Sequence, residues 1–422
     1  VKLTLSFALF AALAFSQDAK QRARAAHDLA KQGEDAIPKL LPYVGDTDIA
    51  VRLEAVKALD EIGGPKTVDP LVRLVNDPDP EIDIRATDGL VNVYLPGYLK
   101  TGISGTLQHV GTSIKAKFSD TNDQVIDSFV EVRPEVIKAL GTLVNHGEGV
   151  TARANAARAL GILRGRAAIP DLVEGVHSKD DAVIFESLTA LEKIRDPSAA
   201  PRIAFRLRDL EEKIQIAAIS TTGILLNRDA APDVRDALQH AKNAKVRRAA
   251  LTALAMLGTA PDHAIFLQYL ADKDDNLRSA AAEGLGRLKN PADRPTLEAD
   301  FKAEHKMGPR LALAFALVSL GNLDTSEFSP LRYLINTLNV RSYQGVALAY
   351  VTELARELNV RLAIYPMLPR ATKDEKIQLC TVFARSGEKD TLPYLETLSV
   401  DPDKDVAPEA IRSLRTLRAR LP

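Results

Sequence analysis

Seven histidines stand at 27, 109, 146, 177, 240, 263 and 305, and none has the His-x-x-x-His or His-Glu-x-x-His spacing that lets one helix face grip a metal. The single cysteine, Cys380, lies in the apolar run Ile377-Gln378-Leu379-Cys380-Thr381-Val382-Phe383. Alone it can form neither an internal disulfide nor a thiolate cluster, and it reads as a small buried hydrophobe. Gly102-Ile103-Ser104-Gly105 lacks the lysine and the spacing of a phosphate loop, and Gly-x-Ser-x-Gly does not occur. No constellation here supports nucleophilic, metal or cofactor chemistry, so the chain is expected to bind rather than catalyse.

One stretch has a composition suited to contact. Residues 94–118 hold Tyr94, Tyr98, Lys100, Lys115, Lys117 and Phe118 with no acid, whereas 119–131 hold Asp120, Asp123, Asp127 and Glu131 with no base. Three uses fit this segregation. The segment can pack on its own scaffold as a flap, or bind a protein partner through those six side chains. It can also touch an anionic membrane surface, weakly, through three lysines. Nucleic acid is not expected, because 55 basic and 56 acidic residues leave a net charge of −1 and no basic footprint. Arginine pairs such as Arg164/Arg166 and Arg247/Arg248 read as solvated helix ends.

The elements behind these residues must be helices. Hydrophobic residues make up 46% of 422, aromatics only 5%, tryptophan is absent, and apolar residues recur at helical rather than alternating spacing. At the N-terminus, Lys2 precedes an apolar run from Leu3 to Phe15, and Ala14 and Ser16 satisfy a small-x-small cleavage rule. Residues 1–16 are therefore expected to be a signal peptide, with the mature protein periplasmic or extracellular.

A repeat of about 32 residues organises the remainder. The segment Val51-Arg52-Leu53-Glu54-Ala55-Val56-Lys57-Ala58-Leu59 recurs at 152–160 and again at 277–285. With Arg52 as the mark, equivalent positions fall at 22, 52, 85, 153, 184, 215, 247, 278, 310, 344, 376 and 407; Arg85, Arg153, Arg247, Arg278 and Arg310 keep the arginine. Only the interval from 85 to 153 is anomalous, at about twice the rest, and it contains the segment 94–131 as an insertion. Proline at 38, 70, 134, 170, 201, 232, 295, 330 and 393 marks the same period, at the first helical turn where its missing N–H costs nothing. Each unit thus reads as helix A, a short turn, and a proline-led helix B, both of roughly 12–14 residues. Acids six positions ahead of the mark (Asp46/Arg52, Asp79/Arg85, Asp272/Arg278, Glu304/Arg310) suggest a charge ladder between neighbouring repeats.

The unit Asp-x-Asp-x-x-Val-Arg-x-x-Ala-x-x-Ala-Leu-x-x-Ile-Gly followed by a proline-led helix resembles the HEAT repeat, in the bacterial form also found in phycobilisome lyases. The resemblance covers almost all of 18–422, more weakly at 344–366 and 376. It implies an all-α solenoid of about 11–12 helix pairs, a single array over 17–422, with A helices on the convex face and B helices on the concave one. Exposed B-helix residues such as Arg73, Lys138, Glu174, Arg206, Arg235 and Arg332 would then face a partner. Of HEAT enzymes, the deoxyhypusine hydroxylases hold iron with His-Glu pairs, and none occurs here: Glu304-His305 is reversed and single. Phycobilin lyases handle chromophores in the cytoplasm, a setting at odds with an export signal. The expectation is a non-catalytic scaffold for an unidentified protein partner.

Overall fold

The computed structural model describes residues 18–98, 124–127 and 129–421. Every regular element among them is helical. The A helices are α1 (18–29), α3 (Ile49–Ile62), α5 (Pro80–Tyr94), α7 (Val150–Ile162), α9 (Asp181–Ile194), α11 (Glu212–Ile224), α13 (Ala244–Leu257), α15 (Asp275–Leu288), α17 (Met307–Ser319), α19 (Gln344–Leu354), α21 (Lys373–Ser386) and α23 (Val406–Arg420). Between them run the B helices α2 (Ile37–Val44), α4 (Val68–Leu74), α6 (Pro134–His146), α8 (Ile169–Val176), α10 (Ala200–Ile203), α12 (Ala231–His240), α14 (His263–Tyr269), α16 (Arg294–Ala303), α18 (Pro330–Thr337), α20 (Leu358–Ile364) and α22 (Leu392–Leu398). The chain is an all-α solenoid of stacked helix pairs.

The register mark falls on the fourth residue of eight A helices: α3, α7, α9, α11, α13, α15, α17 and α21. Proline holds the first or second position of α2, α6, α8, α12, α16, α18 and α22. The B helices are mostly shorter than the 12–14 residues expected, because a 3₁₀ turn such as Pro65–Thr67, Arg166–Ala168 or Pro291–Asp293 takes up the chain before them. Asp-x-Asp does two jobs at each A-helix start. Asp77 accepts the Asp79 N–H at 2.9 Å while Asp79 caps α5 through the amides of Glu81 and Ile82. Asp272 and Asp274 repeat the arrangement at α15. Such caps contribute about 1 kcal/mol each.

Contacts group the described residues into two units, one of 18–98, 124–126 and 130–203 and the other of 127, 129 and 204–421. In the first, α3, α5, α7 and α9 pack side by side in that order, so α5 and α7 meet directly although the insertion separates them in sequence. Leu59, Leu71, Leu90, Leu140 and Leu160 are fully buried there. In the second, α11, α13, α15, α17, α19, α21 and α23 form the corresponding row, around the buried rings of Phe266, Phe315 and Phe383.

Within these rows some A helices touch backbone to backbone. A Cβ on Gly161 would lie 2.8 Å from the Ala190 Cα, one on Gly223 would lie 2.9 Å from the Ala253 Cα, and one on Gly286 would lie 2.7 Å from the Ala316 Cα. All three glycines stand eight residues past the register mark, opposite an alanine six past it in the next repeat. Glycine and alanine there set the helix spacing, which is one physical reason the A helices are alanine-rich.

Candidate binding surface

The polar side chains inside the stack are mostly occupied with holding it. At one edge of the A helices, Arg22 donates to Asp46 at 2.7 and 2.9 Å, and Arg52 to Asp77 at 2.7 and 2.9 Å. Arg153 reaches Asp180 at 3.1 Å, Arg278 reaches Glu304 at 2.9 Å and Lys376 reaches Asp401 at 2.7 Å. In each case the acid belongs to the following repeat. Arg85 instead pairs with Glu81 of its own helix at 2.9 Å. Arg247 bonds the Ala241 carbonyl, and its neighbour Arg248 takes Asp274 at 2.7 Å. Arg310 lies 5.0 Å from the ring centres of both Phe301 and Tyr333.

A second series links successive B helices. Arg235 donates to the buried Asp262 at 2.8 Å, His263 lies 2.9 Å from both oxygens of Asp293, and Arg361 grips Asp390 at 2.8 and 2.9 Å. Inside the A row, Arg158 pairs with Glu186, both buried, and Arg287 joins Glu283 to Glu353 while Tyr350 donates to Glu283 at 2.8 Å. Cys380 is buried in α21, and burial pushes its thiol up to about 12. A cleft of about 230 Å³ is lined by Leu270, Pro309 and Leu313 and by the polar Arg278, Glu304 and Asp300, of which the first two hold each other.

Two acids in the first unit are held against their nature. Burial pushes the Asp60 carboxyl well above its ordinary range, nearby Asp88 adds to this and Arg85 opposes it; burial also raises Asp83 to about 7. A carboxyl with a raised folded-state pKa favours folding fully below its unfolded value of about 4, and that contribution is lost as pH rises towards 7. Asp83→Asn, which keeps the shape and removes the charge, should therefore melt above the parent at pH 8. The gap should close as the pH falls to about 4. A gap independent of pH would mean that Asp83 does not titrate in this range.

The insertion residues have different fates. Tyr94 ends α5, and its hydroxyl accepts the Arg133 N–H at 3.3 Å, so the two ends of the insertion are tied at its neck; Arg133 also grips Asp69 at 2.7 Å. The Tyr98 N–H turns back to the Leu95 carbonyl. Ile126, buried, bonds the Ile162 carbonyl at 3.0 Å. Lys100, Lys115, Lys117 and Phe118 lie outside the described residues. Of the polar B-helix residues, Arg73, Lys138 and Glu174 are exposed, Arg206 is paired with Asp209, Arg235 with Asp262, and Arg332 is half-buried.

The surface best suited to a partner carries apolar side chains that sequence reasoning missed. On α20, Val360 and Ile364 point into the core while Leu358 and Leu362 are 48% and 52% exposed. On the neighbouring B helix α22, Tyr394 is 37% exposed and stacks on Tyr365, ring centres 3.8 Å apart. The Tyr365 hydroxyl is fixed from below by Asp390 at 2.7 Å and Thr391 at 2.8 Å. Two leucines and a braced tyrosine thus stand outward on successive B helices, and Pro366 and Pro393 are exposed as well. In sequence Leu358, Val360, Leu362 and Ile364 offer two apolar stripes, and spacing alone does not say which one faces outward.

Two family models and a curated relative agree with this architecture. A model of HEAT repeats matches residues 8–90, and one of the PBS lyase HEAT-like repeat matches 152–177. Phycocyanobilin lyase subunit alpha of Nostoc sp. (strain PCC 7120) is 30% identical over 195 residues, 43% of this chain and 67% of that protein. The solved complex of CpcE and CpcF of phycocyanin lyase from Nostoc sp. PCC7120 is 20% identical over 70% of this chain and 91% of that one, with a TM-score of 0.33. An engineered protein is 18% identical over 90% of this chain and 98% of that one, with a TM-score of 0.39. From its repeat unit, its stacked helix pairs and its curated relative, the chain belongs to the HEAT-like repeat family.

Proposed function

We propose that the chain is a non-catalytic scaffold that receives a protein partner on the outward face of its B helices, with the exposed apolar side chains of α20 and α22 as the anchor. The observation that carries this is the trio Leu358, Leu362 and Tyr394, which keep apolar surface in water on adjacent helices while the polar residues around them are spent on ion pairs. Buried apolar and aromatic anchors supply most of the energy of protein interfaces. The lysines and aromatic residues of the insertion, Lys100, Lys115, Lys117 and Phe118, are proposed as secondary contacts. The apolar run behind Lys2 supports delivery of this scaffold out of the cytoplasm.

Capture from a cell-envelope extract tests the reading. Leu358→Asp with Leu362→Asp should lower recovery of a reproducible partner at least about tenfold, with helical circular dichroism unchanged. Equal recovery by variant and parent would remove this face as the anchor. The identity to a lyase subunit favours a second reading, in which the chain serves as one subunit of a lyase-type assembly.

A further inference from the structure

Arg310, like Arg247, is a rung of the arginine ladder without an acid, but Arg247 holds the Ala241 carbonyl whereas Arg310 faces aromatic rings. At Arg22, Arg52 and Arg278 the Nε–H donates to a carboxylate from the following repeat, at 2.7, 2.7 and 2.9 Å. The turn after Arg310's repeat reads Asn336-Thr337-Leu338-Asn339-Val340, with no acid, and Asn339 is committed to Glu375 and Thr372. Among the described residues the Arg310 guanidinium has no carboxylate within reach, and its Nε is buried with no acceptor. In place of an acid it has aromatic rings. Phe301 and Tyr333 meet edge to face at 5.8 Å, with Arg310 5.0 Å from each centre. Tyr343 borders the first turn of α17 at Gly308. Two aromatic rings on one cation is a marked concentration in a chain with 5% aromatics.

This is the arrangement that an anion receptor needs. The rings flank the guanidinium, while the side chain as a whole is only half-buried and so open to a ligand. A guanidinium so fixed loses little freedom when a carboxylate docks on it bidentately. We infer that Arg310, with Phe301 and Tyr333, is a recognition site for an acidic side chain of a peptide segment, which supplies from outside the carboxylate that rungs such as Arg22, Arg52 and Arg278 receive from within the chain. The inference rests on the reading of the chain as a protein-binding scaffold, but it uses a different set of residues from the α20–α22 face.

The test uses the full chain and two synthetic peptides, acetylated and amidated, one of alternating aspartate and glutamate and the other its asparagine and glutamine counterpart. The Nε–H resonance of Arg310, sealed from solvent, is followed by NMR. The acidic peptide should move it saturably, with affinity falling as salt is added, and the neutral peptide should leave it in place. Arg310→Met, which keeps the stacked alkyl chain, should weaken acidic-peptide binding about tenfold or more by isothermal titration. No movement, equal movement with the neutral peptide, or unchanged affinity in Arg310→Met overturns the site. If Arg310→Met fails to fold, the two peptides on the parent chain still decide. Partner capture through Leu358 and Leu362 is read separately, so either result can fail without the other.

Discussion

Gly286→Val should cost about 3 kcal/mol of unfolding free energy, seen as a lower urea midpoint for the second unit. A Cβ at this position would come within 2.7 Å of the Ala316 Cα and 3.0 Å of its Cβ, and the Phe315 ring closes the third side at 3.2 Å. No rotamer relieves contact with backbone, so α15 and α17 must separate along their length. That separation loosens the packing of Leu285, Ala312 and Ala316, all fully buried. An equal enlargement at the exposed Ala299 of α16 should change stability by less than about 0.5 kcal/mol. Similar losses at both positions would mean that glycine does not set the spacing of these helices.

Arg287→Ala should be comparably severe, at about 3 kcal/mol, for an electrostatic reason. Arg287 joins Glu283 of its own helix to Glu353 of α19, two repeats on, at 2.7 and 2.8 Å for the latter, and lies 5.1 Å from the centre of Phe315. Tyr350, stacked on Phe315 with centres 4.7 Å apart, donates to Glu283 as well. Removing the guanidinium leaves Glu283 buried among aromatic rings with no cation. Adding Glu283→Gln and Glu353→Gln to Arg287→Ala should recover much of the loss, because the penalty lies in the stranded charges rather than in the missing side chain. If the triple variant is no more stable than the single one, packing of the arginine stem is the larger contribution.

Much of the architecture could be read from residue spacing. Arginine at the mark and proline at the B helix are local requirements, one for an inter-repeat ion pair and one for a helix start, so they repeat with the unit. The ladder was half legible. Acids such as Asp46 and Glu304 lie six residues ahead of an arginine in sequence, yet their partners are Arg22 and Arg278, one repeat earlier. Asp79, by contrast, is a cap, and Arg85 turns to its own helix. Pairing across a stack depends on which turn faces which, and spacing along one chain does not encode that. The apolar face at Leu358 and Leu362 was illegible for a related reason. Leu358-Asn359-Val360-Arg361-Leu362-Ala363-Ile364 offers two apolar stripes, and only packing decides that Val360 and Ile364 go inward. The Gly–Ala contacts were hidden too, since glycine inside a helix reads as a weak point until the neighbouring backbone is in view.

The claim that the B-helix face of α20 and α22 docks a protein is tested most directly by a photoreactive amino acid placed at Leu362, with a second chain carrying it at Glu174, exposed on α8 in the other unit. Irradiation in envelope extract should yield one discrete, reproducible adduct from position 362 and none from position 174. No adduct at 362, or the same adducts from both positions, would contradict the claim.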